Sequence, residues 1–497
     1  MQRFGRGRIV VTVCLLLTAS ACAPPARRDD AAAQGTAGPR ITHGVAAGEV
    51  TATSAVIWSR CDRAAELHVA IDGVNDAERT ATARAANDFT AKVTVDGLEP
   101  ATTYQYRVWC VGRDDAAVVG QAVGGTFRTA PRADSPQAVR FVWGGDVGGQ
   151  NACRDRSQGY PIFHTVLDQG PDFFIGLGDM VYVDSPCLAM GRYGNQQIPG
   201  PPDVSTSLPE FWAYWKYNRD DATTQQVLAS MPYYAVWDDH EVINDFGPRR
   251  DTGPSPPYPP GLHLLPLGRA AFLDYNPLPA TAAQLYRRVR WGRHLELFVL
   301  DTRSYRDAND RTDDPRHPKA MLGGEQLRWL KEGLLHSDAT WKVIVSSVPL
   351  SVPTCVAERG CDGWGRFDRR TGFAYELLDI LRFMQTHHIR NHIWISTDIH
   401  FVAALRYAPF AADPSFQFYE IDTGPLNAGV FPKHELDTTL HPTLLFRYPD
   451  DADPARGYAA AKSWFNFGVM QVDEHGSARL TVINTNGTTL FELPLEP

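Results

Sequence analysis

The sequence has no excess of positive charge, since 48 Lys and Arg residues stand against 57 Asp and Glu residues and the formal net charge is -9. This acidic balance argues against a general nucleic-acid binder, and no stable complex with nucleic acid is expected. Cysteine is also scarce, at eight residues in 497. The 43% of hydrophobic residues still predicts a globular body. A chain of this length is too long for one core, so we expect two domains after an N-terminal appendage.

Residues 1–21 are predicted to form a signal peptide. Three arginines precede an apolar run, Ile9 to Leu17, that is too short to span a bilayer comfortably, and small residues lead to Cys22. Export followed by cleavage is therefore expected. The run before Cys22 resembles a bacterial lipoprotein signal, in which Cys22 becomes the lipidated N-terminus that attaches the protein to a membrane. Ordinary cleavage near Ala21 is the alternative. Residues 22–40, rich in Ala, Pro, Gly and charge, are predicted to be a flexible tether.

Without Cys14 and Cys22, six cysteines remain, an even number that suits an oxidising compartment such as the periplasm or cell envelope. The pairs that stay within one local region are Cys61 with Cys110, Cys153 with Cys187, and Cys355 with Cys361. Spacing alone does not fix this connectivity. In the alternative interpretation, Cys153 is a metal ligand because it lies close to Asp146.

Residues 41–132 contain short segments in which apolar and polar residues alternate. The clearest segments are Ala55 to Trp58, Leu67 to Ala70, Lys92 to Val95, and Tyr104 to Trp109. This period of two predicts a small β-sandwich. Tyr104 follows Gly97-Leu98-Glu99-Pro100, which resembles the tyrosine corner of fibronectin type III-like domains. We expect a structural role for Tyr104.

Residues 138–497 alternate between strand-like and helical segments, which predicts an α/β domain with a largely parallel or mixed sheet. Helices are expected over Pro209 to Leu228, Glu325 to Leu335 and Tyr375 to His387. Acidic residues directly follow several apolar segments, where open α/β sheets bind ligands. These residues are Asp146, Asp179, Asp238, Asp239, Asp301 and Asp398. Clustered carboxylates repel one another, so a multivalent cation is the expected counterion.

Four motifs together resemble the PhoD-like alkaline phosphatase and phosphodiesterase family of the calcineurin-like metallophosphoesterase superfamily. They are Gly178-Asp179-Met180-Val181-Tyr182, Trp237 to Asn244, Asp301 to Arg306, and Asp398-Ile399-His400. His43 to Gly48 and Val56 to Arg60 are similar to the N-terminal β domain of that family. The resemblance implies a four-layer α/β/β/α metallophosphoesterase sandwich preceded by a small fibronectin type III-like β-sandwich. It also implies a dinuclear or larger metal site and hydrolysis of phosphate monoesters or diesters by metal-activated water.

The metal ligands follow from this resemblance and from ligand chemistry. As in the similar purple acid phosphatases, the first site would take Asp146, Asp179, Tyr182 and His400, where a phenolate suits Fe3+. The second site would take Asp179, Asp239 and Asp398, with Asp238 and Asn244 close enough to help. These oxygen ligands favour Ca2+ over zinc, although other divalent ions stay open. Asp238 has an equally open role as a hydrogen-bond partner outside the metal ligand set.

Two further residues are predicted to act on the substrate. His240 is expected to donate a proton or hydrogen bond to the leaving oxygen. In the alternative, His240 is a buried histidine with a structural role that donates a hydrogen bond to a backbone carbonyl. Arg303 is a candidate phosphate clamp because a guanidinium binds two oxygens at once, and an ion pair with Asp301 is equally open.

The expected substrate is a small phosphate ester, with a nucleotide or a phospholipid among the candidates. Two loops could recognise the part of the substrate beyond the phosphate: 246–261, with Arg249 and Arg250, and 355–370, with Trp364, Arg366, Arg369 and Arg370. In the alternative, both loops are solvent-exposed segments that do not contact the substrate. A second hypothesis is a surface-binding lipoprotein on a phosphatase fold without activity. The retained acidic residues and His240 argue against it. In a third, the metal only holds the loops together.

Overall fold

The computed structural model describes residues 38–497, except 75–77, 114, 202–203, 249–260, 280–281, 353, 357–359, 367–369 and 434. The predicted signal peptide, Cys22 and most of the tether therefore lie outside the described residues. So do Arg249, Arg250 and Arg369. No helix in the described ranges is both long enough and apolar enough to cross a membrane.

The first strands form the predicted β-sandwich. They are β1 (Ile41–Gly48), β2 (Ser54–Cys61), β3 (Ala65–Ile71), β4 (Glu78–Ala83), β5 (Thr90–Asp96), β6 (Thr103–Gly112) and β7 (Val123–Arg128). Strands β1, β2 and β5 face the sheet β4-β3-β6-β7, and alternate apolar side chains pack between them. The Tyr104 hydroxyl accepts a 2.8 Å hydrogen bond from the Glu99 amide, the contact expected of a tyrosine corner. The Cys61–Cys110 disulfide joins the two sheets.

The rest of the described chain alternates strands and helices. The strands are β8 (Val139–Gly144), β9 (Phe173–Leu177), β10 (Pro232–Val236), β11 (Arg287–Trp291), β12 (Leu295–Val299), β13 (Trp341–Val345), β14 (Cys355–Val356), β15 (Gly360–Cys361), β16 (His392–Ser396), β17 (Val402–Tyr407), β18 (Phe418–Asp422), β19 (Pro442–Tyr448), β20 (Asn466–Val472), β21 (Ala478–Asn484) and β22 (Thr489–Leu495). The helices are α1 (Ile162–Asp168), α2 (Leu208–Arg219), α3 (Ala222–Ser230), α4 (Gly261–Tyr275), α5 (Gly323–His336), α6 (Ala374–Thr386) and α7 (Gly457–Trp464).

The helix predicted over Pro209 to Leu228 is wrong as a single element, because the structure divides it into α2 and α3. Asp221 causes the break. Its carboxylate accepts a 2.8 Å hydrogen bond from the Thr224 amide and so caps the N-terminus of α3. The helices predicted around Glu325 and Tyr375 are confirmed as α5 and α6.

Two large sheets organise this part of the molecule. The first has the order β22-β21-β20-β8-β9-β10-β1-β2-β5, and the second has the order β11-β12-β13-β16-β18-β17-β19. Strands β8, β9 and β10 are parallel, as are β12, β13, β16 and β18. Strand β1 pairs in parallel with β10 through Ala47 and Gly48, so the N-terminal sandwich shares a sheet with the following region. The predicted domain boundary between residues 132 and 138 stays a prediction.

Side-chain alternation along the strands produces four layers. Phe141 and Trp143 of β8 lie between the two sheets, whereas Val142 faces α1 to α4. In the second sheet, Leu297 lies between the sheets and Phe298 packs with α5 and α6. The predicted α/β/β/α arrangement is therefore confirmed.

The cysteine pairs predicted from local spacing are all formed in the structure. Cys153 is bonded to Cys187, and Cys355 is bonded to Cys361, in addition to the Cys61–Cys110 bridge described above. The alternative interpretation of Cys153 as a metal ligand is wrong, because its sulfur is used in the disulfide.

Candidate metal centre

Five of the six acidic residues predicted to follow apolar strands meet at one place, and Asp301 is not among them in the described part of the chain. Asp146 and Asp179 follow β8 and β9, and Asp238 and Asp239 follow β10. Asp398 and His400 reach the same place from the end of β16 in the second sheet. The carboxyl ends of strands from both sheets therefore supply the site.

The backbone is constrained where it delivers these side chains. The φ angle is 64° at Asp146, 51° at Asp179, 74° at Asp398 and 59° at His400. Residues other than glycine rarely adopt positive φ, and they keep it only where the surrounding structure enforces it. Gly178 has a φ of 86°, and a Cβ there would lie 2.6 Å from the Cβ of Asp238. Glycine at this position therefore allows the loops after β9 and β10 to approach.

Among the described residues, two of the groups that could hold a cation share Asp179, and a third joins Asp179 and Asp239 to His240. Ligand atoms of Asp146, Asp179 and His400 lie within 4.8 Å of one another. The same limit holds for a second group: Asp179, Asp238, Asp239 and Asp398. The Tyr182 hydroxyl adds to the first group, at 3.0 Å from Nε2 of His400 and 3.4 Å from Oδ1 of Asp146. Asp179 can therefore bridge two cations.

The carboxylates in these groups outnumber the cation beside them, Arg303, which pairs with Asp238. Burial, together with repulsion between neighbouring carboxylates, raises the pKa of Asp146, Asp179 and Asp398 well above the usual range. Within the described residues, one buried carboxylate oxygen in each of the following has no hydrogen-bond partner: Asp146, Asp179, Asp238 and Asp239. Such oxygens are costly to bury unless a cation binds them. The donor set therefore fits multivalent cations.

His400 presents a neutral imidazole nitrogen to the first group. Burial lowers the pKa of His400 to about 3, so the imidazole carries no charge. Its Nδ1 contacts the carbonyl of Gly429 and must donate, because a carbonyl only accepts. The lone pair therefore lies on Nε2, which faces Asp146 and Tyr182. Burial and the nearby carboxylates raise the pKa of Tyr182 well above its usual value, so cation binding is needed to favour its phenolate.

Arg303 lies beneath the carboxylates. Its fully buried guanidinium donates to Asp238 at 2.5 Å and to Asp362 at 2.8 Å. Burial alone would lower the pKa of Arg303, but the two carboxylates outweigh it and raise the pKa. Asp301 accepts a hydrogen bond from the backbone amide of Arg303, so the alternative of a side-chain ion pair with Asp301 is wrong. A role for Arg303 on phosphate stays a prediction.

His240 is held by a carboxylate that the sequence analysis did not identify. Its Nδ1 lies 2.6 Å from Oδ1 of Asp184, whose other oxygen accepts a 2.8 Å hydrogen bond from the Asn244 amide. Burial alone would lower the pKa of His240, but Asp184 and Asp239 outweigh it and raise the pKa to about 10. The alternative of a backbone carbonyl partner is therefore wrong. The strands and motifs gave no signal for Asp184 beyond its position two residues after Tyr182.

Two other residues that the sequence analysis missed hold the ligand loops together. Nδ2 of Asn218, in α2, donates to the carbonyl of Val147 at 3.2 Å and to that of Met180 at 2.8 Å. The buried carboxylate of Glu241 accepts hydrogen bonds from three backbone amides, those of Asp179, Met180 and Asp238. Glu241 could have been found from its place in the motif after β10. Asn218 carries no such signal, because its helix is remote in sequence.

A cavity of about 340 Å³ opens onto the two groups. Its walls include Asp239, Asp398, His240, His400 and the predicted ligand Asn244, and also Gln150, Thr354, Phe431 and Lys433. Asp245 and Asp362 line it too, and they form a further acidic group with Asp239. Arg303 is not among the described residues of the wall. Trp364, a candidate for substrate recognition, is fully buried and donates to Ser346 at 3.1 Å, so it belongs to the core.

The chain is similar to known phosphatases in sequence. Residues 141–489 match a family model described as PhoD-like phosphatase, and residues 25–131 match the PhoD-like phosphatase, N-terminal domain. Alkaline phosphatase D of Bacillus subtilis (strain 168) is 26% identical over 334 residues, which cover 62% of this chain and 52% of that protein. The chain therefore matches about half the length of this curated relative.

Solved structures extend the similarity to the fold. The structure of PhoD superposes with a TM-score of 0.71 at 18% identity, covering 93% of each chain. Purple acid phosphatase PPD1 from yellow lupin (Lupinus luteus) seeds gives a TM-score of 0.56 at 13% identity. That match covers 92% of this chain and 73% of the lupin protein. At these identities the similarity shows the fold alone.

Proposed function

We propose that the chain, which belongs to the PhoD-like phosphatase family, is an exported metal-dependent phosphoesterase. The observation that carries the proposal is the pair of overlapping groups that contain Asp146, Asp179, Asp239, Asp398 and His400, of which Asp239, Asp398 and His400 line an open cavity. An acidic pocket of this kind repels an anionic ester unless cations occupy it. Phosphate monoesters and diesters are the proposed substrates.

The donor atoms support a particular pair of metals. Fe3+ would be held by Asp146, Asp179, Tyr182 and His400, because a hard trivalent ion suits carboxylates and a phenolate. Ca2+ would be held by the oxygens of Asp179, Asp238, Asp239 and Asp398, with Asn244 beside them. Bound cations would neutralise the phosphoryl oxygens and make an attacking water more acidic.

The remaining side chains are assigned by their positions. His240 lines the cavity with its ring fixed by Asp184 and holds a proton at neutral pH, so it can donate that proton to the leaving-group oxygen. Arg303 is buried below the cavity and pairs with Asp238 and Asp362. We therefore assign Arg303 to the positioning of carboxylates, and its predicted contact with phosphate would require the side chain to move.

Export is proposed from the sequence and the disulfides together. The bridges Cys61–Cys110, Cys153–Cys187 and Cys355–Cys361 suit an oxidising compartment. Attachment to a membrane through lipidated Cys22 is part of the proposal, and mass analysis of the N-terminus of the exported protein would test it.

The test combines metal analysis of the natively purified protein with hydrolysis of a generic phosphomonoester and a generic diester. The wild type and a control variant of an exposed carboxylate, Asp451→Asn, should contain metal and hydrolyse at least one ester. Asp179→Asn should lose both metal and turnover. His240→Gln should keep the metal and lose about 100-fold or more in kcat. A visible absorption band that disappears in Tyr182→Phe would identify a tyrosinate on ferric iron.

Three results would overturn parts of this proposal. A metal-free, inert wild type would favour the surface-binding lipoprotein. Bound metal without turnover would favour a purely structural metal. Zinc in both positions would refute the argument from oxygen ligands.

A further inference from the structure

We propose that Phe431 is a stacking surface for a planar aromatic group, an aryl ring or a nucleobase, on the organic side of the phosphate ester. This inference rests on the proposed phosphoesterase function and adds a substrate class to it. Phe431 lines the cavity, is only half-buried, and its ring centroid lies 5.5 Å from that of His400. A partly exposed aromatic ring beside His400 is placed to contact the group attached to phosphorus.

The ring of Phe431 is fixed before any ligand binds. The guanidinium carbon of Arg192 lies 4.8 Å from the ring centroid, and the cation is attracted to the face of the aromatic ring. The arginine therefore restricts the orientation of the ring. A preorganised surface loses little conformational entropy on binding.

The backbone that carries Phe431 is fixed as well. Three consecutive amides, from Gly429 to Phe431, donate hydrogen bonds: to Oε1 of Gln150 at 3.2 Å, to the Tyr193 hydroxyl at 2.9 Å and to the His400 carbonyl at 3.4 Å. Arg192 and Tyr193 come from one loop, so the same segment supports both the ring and its backbone. Phe431 thus keeps a constant position relative to the metal centre.

The size of the cavity and the neighbouring side chains agree with an aromatic group of modest size. A volume of about 340 Å³ lies within the range of pockets that bind small organic ligands. Ile399, which is almost fully buried, adds apolar surface to the wall beside His400. An aromatic ester could therefore place its phosphoryl group at the carboxylates and its ring against Phe431.

The test compares the wild type with Phe431→Leu and Phe431→Tyr on three esters: 4-nitrophenyl phosphate, a nucleoside 5′-monophosphate and glycerol phosphate. Phe431→Leu keeps an apolar side chain but loses the aromatic face, so KM should rise about tenfold for an aromatic ester, the loss expected of a stacking contact. KM for glycerol phosphate should change by less than about twofold. Phe431→Tyr should retain the wild-type values. A second measurement is equilibrium binding of nucleoside monophosphate in the His240→Gln background, where turnover is slow. Binding should weaken when Phe431→Leu is added, while binding of inorganic phosphate is unchanged.

The outcomes separate the two sources of an aromatic group and the two proposals. If KM in Phe431→Leu rises only for the nitrophenyl ester, Phe431 stacks on an aryl ring. If KM rises only for the nucleotide, Phe431 stacks on a nucleobase. Equal changes for all three esters would overturn the stacking role, because a general disturbance near His400 affects every substrate. Wild-type protein that hydrolyses none of these three monoesters and no generic diester would refute the phosphoesterase function and this inference with it.

Discussion

Asn218→Leu should weaken the metal centre from a distance, because Asn218 joins two ligand loops through their backbone. Its Nδ2 reaches the carbonyls of Val147 and Met180, each one residue after a proposed ligand. Its Oδ1 accepts a 2.6 Å hydrogen bond from the Tyr160 hydroxyl. Leucine has a similar volume and none of these bonds, so the substitution removes the links without opening a large cavity.

The expected magnitude follows from the groups that lose their partner. Two buried carbonyls and one buried hydroxyl would be left unsatisfied, at about 1 to 3 kcal/mol each, and partial relaxation should bring the total to about 3 to 5 kcal/mol. This is a large part of the ~5 to 15 kcal/mol that stabilises a typical domain. Tyr160→Phe removes only the hydroxyl bond and should cost about 1 kcal/mol. The difference between the two variants in the free energy of unfolding gives the contribution of the hydrogen bonds from Asn218 to the two carbonyls.

The assay is urea denaturation of the metal-free wild type, Asn218→Leu and Tyr160→Phe, followed by metal titration of each. Affinity for metal should fall about 10- to 100-fold in Asn218→Leu, as expected when a group behind the ligands is lost, and should change little in Tyr160→Phe. Equal losses of stability in the two variants would refute the reasoning, because the carbonyl links would then contribute nothing. Wild-type metal affinity in a folded Asn218→Leu variant would refute it independently.

Three further outcomes are expected. Asp184→Asn should lower kcat at least tenfold with metal content unchanged, because His240 loses the charge that holds its proton; wild-type kcat would contradict this. Burial lowers the pKa of His392 from 6.5 to about 3, so its contribution to stability is complete above pH 6.5 and is lost as the pH falls toward 3. Between pH 7 and pH 5, the free energy of unfolding measured by urea denaturation should therefore drop by about 2 kcal/mol more in the wild type than in His392→Phe. An equal drop in the two proteins would exclude the effect. The double variant Cys61→Ala, Cys110→Ala should lose about 4 kcal/mol in urea denaturation, because the bridge closes a loop across a separation of 49 residues, and stability equal to that of the oxidised wild type would argue against this.

The sequence predicted most of the proposed ligands because their positions follow from local pattern. Asp146, Asp179 and Asp239 come shortly after apolar strands of the first sheet, and Asp398 comes shortly after one of the second. Parallel strands bring their carboxyl ends to one edge of each sheet. His400 follows Asp398 by two residues. The strand pattern predicted where the carboxylates lie, and the family resemblance implied that they and His400 are ligands.

Other parts of the site depend on contacts between segments that are far apart in sequence. Asp362 pairs with Arg303 at a separation of 59 residues, and no local pattern predicts that pair. Asn218 reaches the ligand loops from a helix whose apolar residues indicated only a core element. Phe431 lies in an irregular segment, so neither helical nor strand periodicity marked it. The paths of loops decide these contacts, and periodicity carries no information about them.

The short pairing between β1 and β10 gives the N-terminal sandwich a protective role. Ala47 and Gly48 cover the edge of β10 at Pro232 and Tyr233, and a Cβ on Gly48 would lie 2.6 Å from the Tyr233 carbonyl oxygen. A shortened protein starting near residue 138 would leave the amides and carbonyls of that edge open to pairing with another molecule. Self-association is therefore the expected result when the region from residue 138 onward is expressed alone, and pairing with β1 would prevent it.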